Sequence, residues 1–380
     1  MLRKILFLAL PLCVAVSSSG YGQAVPPPRP FASYFKPIPA SSKLSKDAWG
    51  VSAVGPRDLG NGLEDASMKQ WDYWDGSILR GADGKYRMFA SRWEQSAGHR
   101  GWFNSKAVEA VSDSLFGPYH DQGLLWPDDL SGKGHNVIAL QLPDHTYAVV
   151  VSETRNGDVY TSTSIDGPWK KLGDITVNQD AFHSLRNPGD KQPLHGPDPK
   201  PWHGSNVDLI ARPDGQFEIV QRSGQILISK HGVLGPYDVQ GDSIYRGLEG
   251  MPQDHLDRLE DPVIWLSGGW YHIIVNEWGA RCAYHLISRN GIDGWKFEGV
   301  AFTPDSDFIR YTDGTVNHWN KIERPSVVMD KGHVIAFTFA VIDVAKEAEN
   351  GNDGHGSKVI VVPFDGVKMD RDLARAEAAR

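Results

Sequence analysis

A carboxylate stands directly in front of an apolar, β-prone run in "EDPVIWLSGGWYHIIV", where Glu260 is the first residue. Such a run is typical of a buried strand, in which an unpaired charged residue destabilises the fold. Paired carboxylates can hydrolyse glycosides: one protonates the leaving oxygen, and the other activates water or attacks the sugar directly. This chemistry requires a fold that brings carboxylates from distant parts of the chain together.

Four more copies of the same pattern occur along the chain, and none needs a gap. With Glu260 as position zero, the frame also fits "DGSILRGADGKY", "NVIALQLPDHTY", "NVDLIARPDGQF" and "ERPSVVMDKGHV". In each copy two apolar runs flank a turn, which predicts a β-hairpin. The copies start at residues 75, 136, 206, 260 and 323, a spacing that leaves room for four strands and a loop. The sequence therefore predicts an all-β fold, a five-bladed β-propeller, with a β-sandwich as the alternative.

The position-zero residues of a propeller are expected to form a ring around one end of the central channel. They are Asp75, Asn136, Asn206, Glu260 and Glu323. Three carboxylates in one ring would repel one another and raise the pKa of at least one of them, as a general acid requires. The next residues in the frame, which include Asp261 and Arg324, are expected to face the opposite side of their strands.

Two of these strands resemble strands of glycoside hydrolase family 43. The segment "EDPVIWLSGGWYHIIV" is similar to the Glu-Gly-Pro strand that carries the family's general acid. The segment "DGSILRGADGKYRMF" is similar to the Asp-Pro strand that carries its general base. The resemblance covers about residues 70–370 and extends to the five-bladed families 32, 62, 117 and 130. It implies that Glu260 is the acid, that Asp75 is the base or nucleophile, and that the reaction inverts the anomeric centre.

The sequence departs from family 43 at two positions. Asn206 stands where the family has a third carboxylate, a role that Asp208 or Glu323 could take instead, and Gly76 replaces the proline after the base. The resemblance also makes a structural calcium possible, although no cofactor is expected to be required.

Aromatic, histidine, amide and arginine side chains near the ring are the candidates for contacting a sugar, since sugar faces stack on aromatic rings while hydroxyls bond to polar groups. The predicted substrate-binding residues are Trp74, His135, Asn136, Asn206, Trp202, His203, His318, Trp319, Arg92 and Arg324.

Two other functions fit the same fold. A lyase or a histidine-assisted hydrolase would use His135, His203 or His318 for proton transfer, and a non-catalytic propeller would only bind sugar. No pair of histidines has a spacing diagnostic of a metal site, so no catalytic metal is expected. If two or more of Arg92, Arg100, Arg222 and Arg281 reach the channel mouth, an acidic sugar becomes an attractive substrate.

The ends of the chain carry their own signals. Residues 1–24 resemble a cleavable export signal, which predicts a periplasmic or secreted protein. Its removal takes away two positive charges, so the net charge changes from −8 to −10, which argues against a nucleic-acid partner.

Residues 25–50 form a Pro-rich extension that lies along the propeller or pairs with a neighbouring chain as a homodimer. The propeller is assigned to residues 51–370, and residues 371–380 are expected to be a frayed tail. After removal of the signal Cys282 is the only cysteine, so no intrachain disulfide is possible, and no membrane span is predicted.

Overall fold

The computed structural model describes residues 29–40, 45–48, 52–155, 157–178 and 204–379. The predicted export signal lies outside them, as do Trp202 and His203. Strands dominate, and they form five sheets that are the five blades of a β-propeller. Blade 1 contains β3 (Trp71–Arg80), β4 (Tyr86–Glu94), β5 (Lys106–Ser112) and β6 (His120–Leu124). Blade 2 contains β7 (His135–Gln141), β8 (Tyr147–Glu153), β9 (Asp158–Ser162) and β10 (Lys170–Asp174).

The other three blades follow in chain order. Blade 3 contains β11 (Asp208–Ala211), β12 (Phe217–Val220), β13 (Ile226–Ser229) and β14 (Asp238–Val239). Blade 4 contains β15 (Leu259–Ser267), β16 (Trp270–Glu277), β17 (Cys282–Ser288) and β18 (Lys296–Phe302). Blade 5 contains β19 (Lys321–Asp330), β20 (His333–Ile342) and β21 (Ser357–Pro363). A separate small sheet pairs β1 (Ser45–Ala48) with β2 (Pro56–Arg57).

Short 3₁₀ segments lie outside the strands. They span Phe31–Tyr34, Ser52–Val54, Gln95–Ala97, His99–Asn104, Leu130–Gly132, Leu256–Arg258 and Lys346–Ala348.

The five predicted hairpins are confirmed, because the first two strands of each blade pair antiparallel around the predicted turns. The hairpin loops differ in length. Blades 1 to 3 have five-residue loops, as at residues 81–85, whereas blades 4 and 5 turn within two residues, as at Gly268 and Gly269. Because of this difference, counting back from the turn by a fixed number of residues does not reach equivalent positions at the start of every first strand.

The first strand of each blade packs against the first strands of its two neighbours, so that β3, β7, β11, β15 and β19 surround the channel. Blade 5 has three strands from its own part of the chain, and Leu63 supplies the fourth position by pairing with Val359. The two residues exchange both backbone hydrogen bonds, at 2.9 and 3.0 Å. The circle of blades is therefore closed by a segment near the start of the described chain.

Part of the Pro-rich extension packs on the chain's own propeller. Phe31, Tyr34, Phe35 and Ile38 are buried among aromatic side chains of blades 4 and 5. Ile38 also pairs with the segment before blade 5, where its N–H donates to the carbonyl of Arg310 at 2.8 Å. This packing offers no support for a homodimer formed through residues 29–40.

The burial of Ile38 leads to a stability prediction. Ile38→Val removes one methylene from a fully buried side chain and is expected to lower the free energy of unfolding by about 0.5–1.5 kcal/mol. Denaturant unfolding measures the change. Val367→Ala is the control, because Val367 is largely exposed and its truncation should cost less than about 0.5 kcal/mol. Equal stability of the two variants would contradict a packed N-terminal segment.

The C-terminal tail is a packed helix, so the prediction of a frayed tail is wrong. Helix α1 spans Gly366–Ala378, and the side chain of its N-cap residue Asp365 accepts a hydrogen bond from the N–H of Lys368 at 3.1 Å. Met369 and Leu373, four residues apart on one face, are buried in the core of blades 4 and 5. No helix within the described ranges has the length and apolar character needed to cross a membrane.

Candidate active site

A cavity of about 410 Å³ opens where the first strands of the blades begin. Its wall includes one residue from the start of each blade: Trp74, His135, Ser205, Glu260 and Glu323. In blades 1, 2, 4 and 5 each of these residues pairs with a residue in the last part of the second strand, as Glu260 pairs with Asn276. The fold therefore places equivalent positions of the repeats around one cavity.

The next residue of each blade has a left-handed backbone. These five residues are Asp75, Asn136, Asn206, Asp261 and Arg324, with φ between 47° and 69°. Asp and Asn tolerate this conformation better than most residues. In blades 1, 4 and 5 the residue coincides with a shift in strand register, as between Glu260 and Val263. We call these five residues the floor layer.

The ring predicted from the sequence combines residues of two structural layers. Asp75, Asn136 and Asn206 belong to the floor layer, whereas Glu260 and Glu323 precede it by one residue and line the wall. The prediction that Asp261 and Arg324 face away is wrong. Counting back from the turn does not identify equivalent residues in all blades. Where the turn has two residues, the first strand has one more residue between the floor layer and the turn.

Glu260 is surrounded by other charged groups. Its Oε2 lies 3.6 Å from Nη2 of Arg222. Burial raises the pKa of Glu260 to about 8, and the negative charges of Asp261 and Glu323 contribute in the same direction. The carboxyl is therefore protonated at neutral pH while it faces the cavity, as a proton donor requires.

Asp75 lies in the floor layer and is 2% exposed. Its Oδ2 accepts hydrogen bonds from the Ser91 hydroxyl and from the N–H of Val137, the latter at 3.2 Å. Its Oδ1 lies 3.5 Å from Nε of Arg324 and accepts no hydrogen bond from the described residues. Burial raises the pKa of Asp75 to about 6, although Arg324 and Ser91 oppose this shift. At neutral pH Asp75 is therefore mainly ionised.

Glu323 is held by two lysines. It forms ion pairs with Lys346 and, at 3.5 Å, with Lys321. Burial alone would raise the pKa of Glu323, but the charges of the two lysines lower it below its ordinary value. Glu323 is therefore ionised beside Glu260, so the structure supports it as the third carboxylate that raises the pKa of the acid.

Asp208 has a different environment. Its Oδ2 accepts a hydrogen bond from the N–H of Ile264 at 2.8 Å, which ties β11 to the first strand of blade 4. Burial raises the pKa of Asp208 to about 6. Because backbone N–H groups of Ile264 and Leu209 bind the carboxylate of Asp208, these contacts favour a structural role.

The carboxylates of Glu260, Asp261 and Glu323 each place one oxygen within 4.8 Å of the others. Calcium prefers six to eight oxygen ligands, largely carboxylate and carbonyl. Here Lys346 already pairs with Glu323, and Nη1 of Arg324 lies 3.4 Å from Oδ1 of Asp261. Because protein cations balance this cluster, its residues do not fit the structural calcium that the resemblance makes possible.

Four of the predicted substrate-binding residues line the cavity: Trp74, His135, Asn136 and Asn206. The two amides are joined, since Nδ2 of Asn136 donates to Oδ1 of Asn206 at 2.6 Å. Burial lowers the pKa of His135 well below its ordinary value, so its imidazole is neutral. Arg324 lies in the floor layer, where it links Asp75 and Asp261.

Three other predicted substrate-binding residues are not on the described wall of this cavity, and their role stays a prediction. The guanidinium of Arg92 pairs with Asp121 and lies over the ring of Trp71. His318 is paired with Asp307 at 2.9 Å. Trp319 is buried in the core of blades 4 and 5. All three are close in sequence to a strand end, but this proximity does not fix the direction of the side chain.

The structure adds wall residues that the sequence analysis missed. His99, Trp102 and Phe103 come from the connection between β4 and β5, and Lys346 comes from the connection after β20. The unusual length of the first connection, with two aromatic residues in "GHRGWFN", is a signal that could have identified it. The segment around Lys346 has no comparable signal.

Comparisons with known proteins agree with this architecture. A glycoside hydrolase of known structure matches with a TM-score of 0.53 and 15% identity, over 81% of this chain and 62% of its own. The protein has the five-bladed β-propeller fold of glycoside hydrolases. The α-L-arabinofuranosidase PaAbf62A from Podospora anserina, solved in complex with cellotriose, matches with a TM-score of 0.51 and 13% identity, over 81% of this chain and 94% of its own. A family 117 glycoside hydrolase from the marine bacterium Zobellia galactanivorans has a TM-score of 0.50 and 14% identity, over 80% and 88%.

The chain spans less than two thirds of the length of the first of these glycoside hydrolases. No family model and no curated protein matches the sequence. The predicted fold is confirmed by the blades and by these structures. At such low identities the comparisons support a shared fold, and the chemistry has to be argued from the cavity.

Proposed function

We propose that the protein is an exported glycoside hydrolase that acts on glycans derived from plant or algal polysaccharides. The observation that carries this proposal is the protonated Glu260 on the cavity wall, together with the ionised Asp75, a buried residue that directly follows the wall residue Trp74. When their environments give two carboxyl groups different pKa values, the group with the higher pKa can donate a proton while the other is ionised and can accept one. Export is supported by the signal-like residues 1–24.

In the proposed reaction Glu260 protonates the leaving oxygen of the glycosidic bond. Asp75, which follows the wall residue Trp74, removes a proton from the attacking water. This step requires water to reach Oδ1, a buried atom that accepts no hydrogen bond from the described residues. Arg324 holds this carboxylate in place, and Glu323 keeps the pKa of Glu260 high. Inversion of the anomeric centre is expected from this assignment.

A glycan screen with the full chain tests the proposal. Release of a reducing sugar, with the anomer of the first product assigned by NMR, would support it. Turnover that survives Glu260→Gln but is lost in His135→Asn would contradict it and favour a histidine-assisted enzyme. Binding without turnover, in a screen that includes neutral and acidic glycans, would favour a non-catalytic propeller.

The two pKa values predict a bell-shaped dependence of kcat/KM on pH. Activity requires protonated Glu260, whose pKa is raised to about 8, so it should fall as the pH rises above that value. Activity also requires ionised Asp75, whose pKa is raised to about 6, so it should fall as the pH drops below that value. Initial rates between pH 4 and 10, at subsaturating substrate, measure both limbs. A profile that stays flat through pH 8 would contradict the assignment of the acid.

A further inference from the structure

Arg100 is the exposed cation of the cavity wall that has no hydrogen-bond or ion-pair partner among residues 29–40, 45–48, 52–155, 157–178 and 204–379. The two other cations of the described wall are engaged. Lys346 pairs with Glu323, and Nε of Arg222 donates to the carbonyl of Leu259 at 3.1 Å while its Nη2 approaches Glu260. Within the described part of the chain, the guanidinium of Arg100 is therefore available to a ligand.

The segment that carries Arg100 is fixed to the fold. Its 3₁₀ segment, His99–Asn104, begins where the N–H of His99 donates to the carbonyl of Glu349 in the neighbouring blade, at 3.3 Å. The indole of Trp93 donates to the carbonyl of Gly98 at 3.1 Å. Gly101 packs so closely on Trp93 that a Cβ atom would meet the indole at 2.3 Å. A ligand that binds Arg100 therefore meets a backbone that is already ordered, which reduces the entropic cost of binding.

Phe103 follows Arg100 by three residues and also lines the cavity. In a 3₁₀ helix residues i and i+3 lie on the same side, one turn apart. The Phe103 ring is 56% exposed and stacks on Trp102 with centroids 3.9 Å apart. Trp102 in turn stacks on the wall residue His135, at 5.2 Å. An exposed, supported aromatic face beside a free guanidinium suits a ring that carries an anionic substituent.

We propose that the substrate is an anionic glycan, and that its charged sugar stacks on Phe103 and places a carboxylate or sulfate against Arg100. The proposal rests on the proposed function, because it names the substrate class of the same cavity. Planar guanidinium groups bind both anions in a forked geometry. The wall also contains five carboxyl groups. Glu260 is protonated, while Glu323 and Asp261 pair with Lys346 and Arg324. Glu153 accepts a hydrogen bond from Ser205, and Glu347 is exposed to solvent, where salt screens its charge.

Binding to the full-length Glu260→Gln protein tests the proposal without turnover. The probes are glucose, galactose and mannose, each compared with its uronic acid and its 6-sulfate by ligand-observed NMR titration. At least one uronic acid or sulfate is expected to bind about tenfold more tightly than its neutral sugar, as one charge-assisted contact allows. Arg100→Met in the same background should remove this difference in affinity. Phe103→Ala should weaken the binding of neutral and anionic sugars by the same factor. Comparison of the affinities for the uronic acids with those for the 6-sulfates shows which anion is preferred.

Arg80→Met is the matched control, because Arg80 is an exposed arginine at the far end of β3. It removes the same charge and should leave the preference for anions unchanged. The proposal is overturned if no anionic sugar binds better than its neutral form, or if the preference survives Arg100→Met. Hydrolysis of neutral glycans by the wild-type protein would then leave the proposed function standing. Conversely, binding of anionic sugars that depends on Arg100, with no turnover of any glycan, would contradict the proposed function alone.

Discussion

Glu260→Gln is expected to lower kcat/KM for glycan hydrolysis by about 10²- to 10⁴-fold, the range that general acid catalysis typically contributes. The amide has nearly the shape of the carboxyl but cannot transfer a proton to the leaving oxygen. The change also removes a buried ionisable group whose charged form is disfavoured by Asp261 and Glu323, so folding should be little affected. Thermal unfolding of both proteins checks that the loss of activity is chemical.

The choice of substrate makes this test specific. An aryl glycoside with a strongly acidic phenol as leaving group needs little protonation, so the variant should hydrolyse it with a much smaller loss. Glu249→Gln, an exposed carboxylate in the loop before blade 4, is the matched control and should retain full activity. Equal losses on both classes of substrate would indicate that Glu260 acts in binding rather than as the acid.

The blades were predictable because each hairpin is encoded locally. Apolar runs around Asp-Gly or Gly-Gly turns specify an antiparallel pair whatever the rest of the chain does. The closure by Leu63 and the packing of Phe31 and Ile38 were not predictable, because they join segments about 300 residues apart and have no repeated pattern.

The candidate site was predictable only to within one residue. The repeat frame predicts the wrong side of the strand for Asp261 and Arg324, because it is aligned on a turn whose length varies between blades. Lys346 was missed, yet its charge helps to keep Glu323 ionised. Electrostatic partners of this kind depend on which loops meet in three dimensions, and a single sequence does not contain that information.

Asp75→Asn is expected to reduce hydrolysis by a comparable factor, about 10²- to 10⁴-fold, because the amide cannot accept a proton from water. Its effect must be separated from a loss of structure, since the carboxylate also pairs with Arg324 and accepts hydrogen bonds from Ser91 and Val137. Asp75→Ala with added azide supplies that separation. Azide attacks without a base, so rescue that yields a glycosyl azide of inverted configuration would identify Asp75 as the base.

Glu323→Gln provides the decisive contrast with the Asp75 variants. If Glu323 only keeps the pKa of Glu260 high, its neutralisation should move the alkaline limb of the pH profile to lower pH and leave the maximal rate within about tenfold of wild type. The opposite pattern, in which Glu323→Gln abolishes turnover and Asp75→Asn does not, would make Glu260 and Glu323 the catalytic pair. An oxygen of each lies within 4.8 Å of the other, which is compatible with the carboxyl separation of about 5–5.5 Å in retaining enzymes. The first product should then have the retained configuration, so NMR of its anomeric proton distinguishes the two assignments.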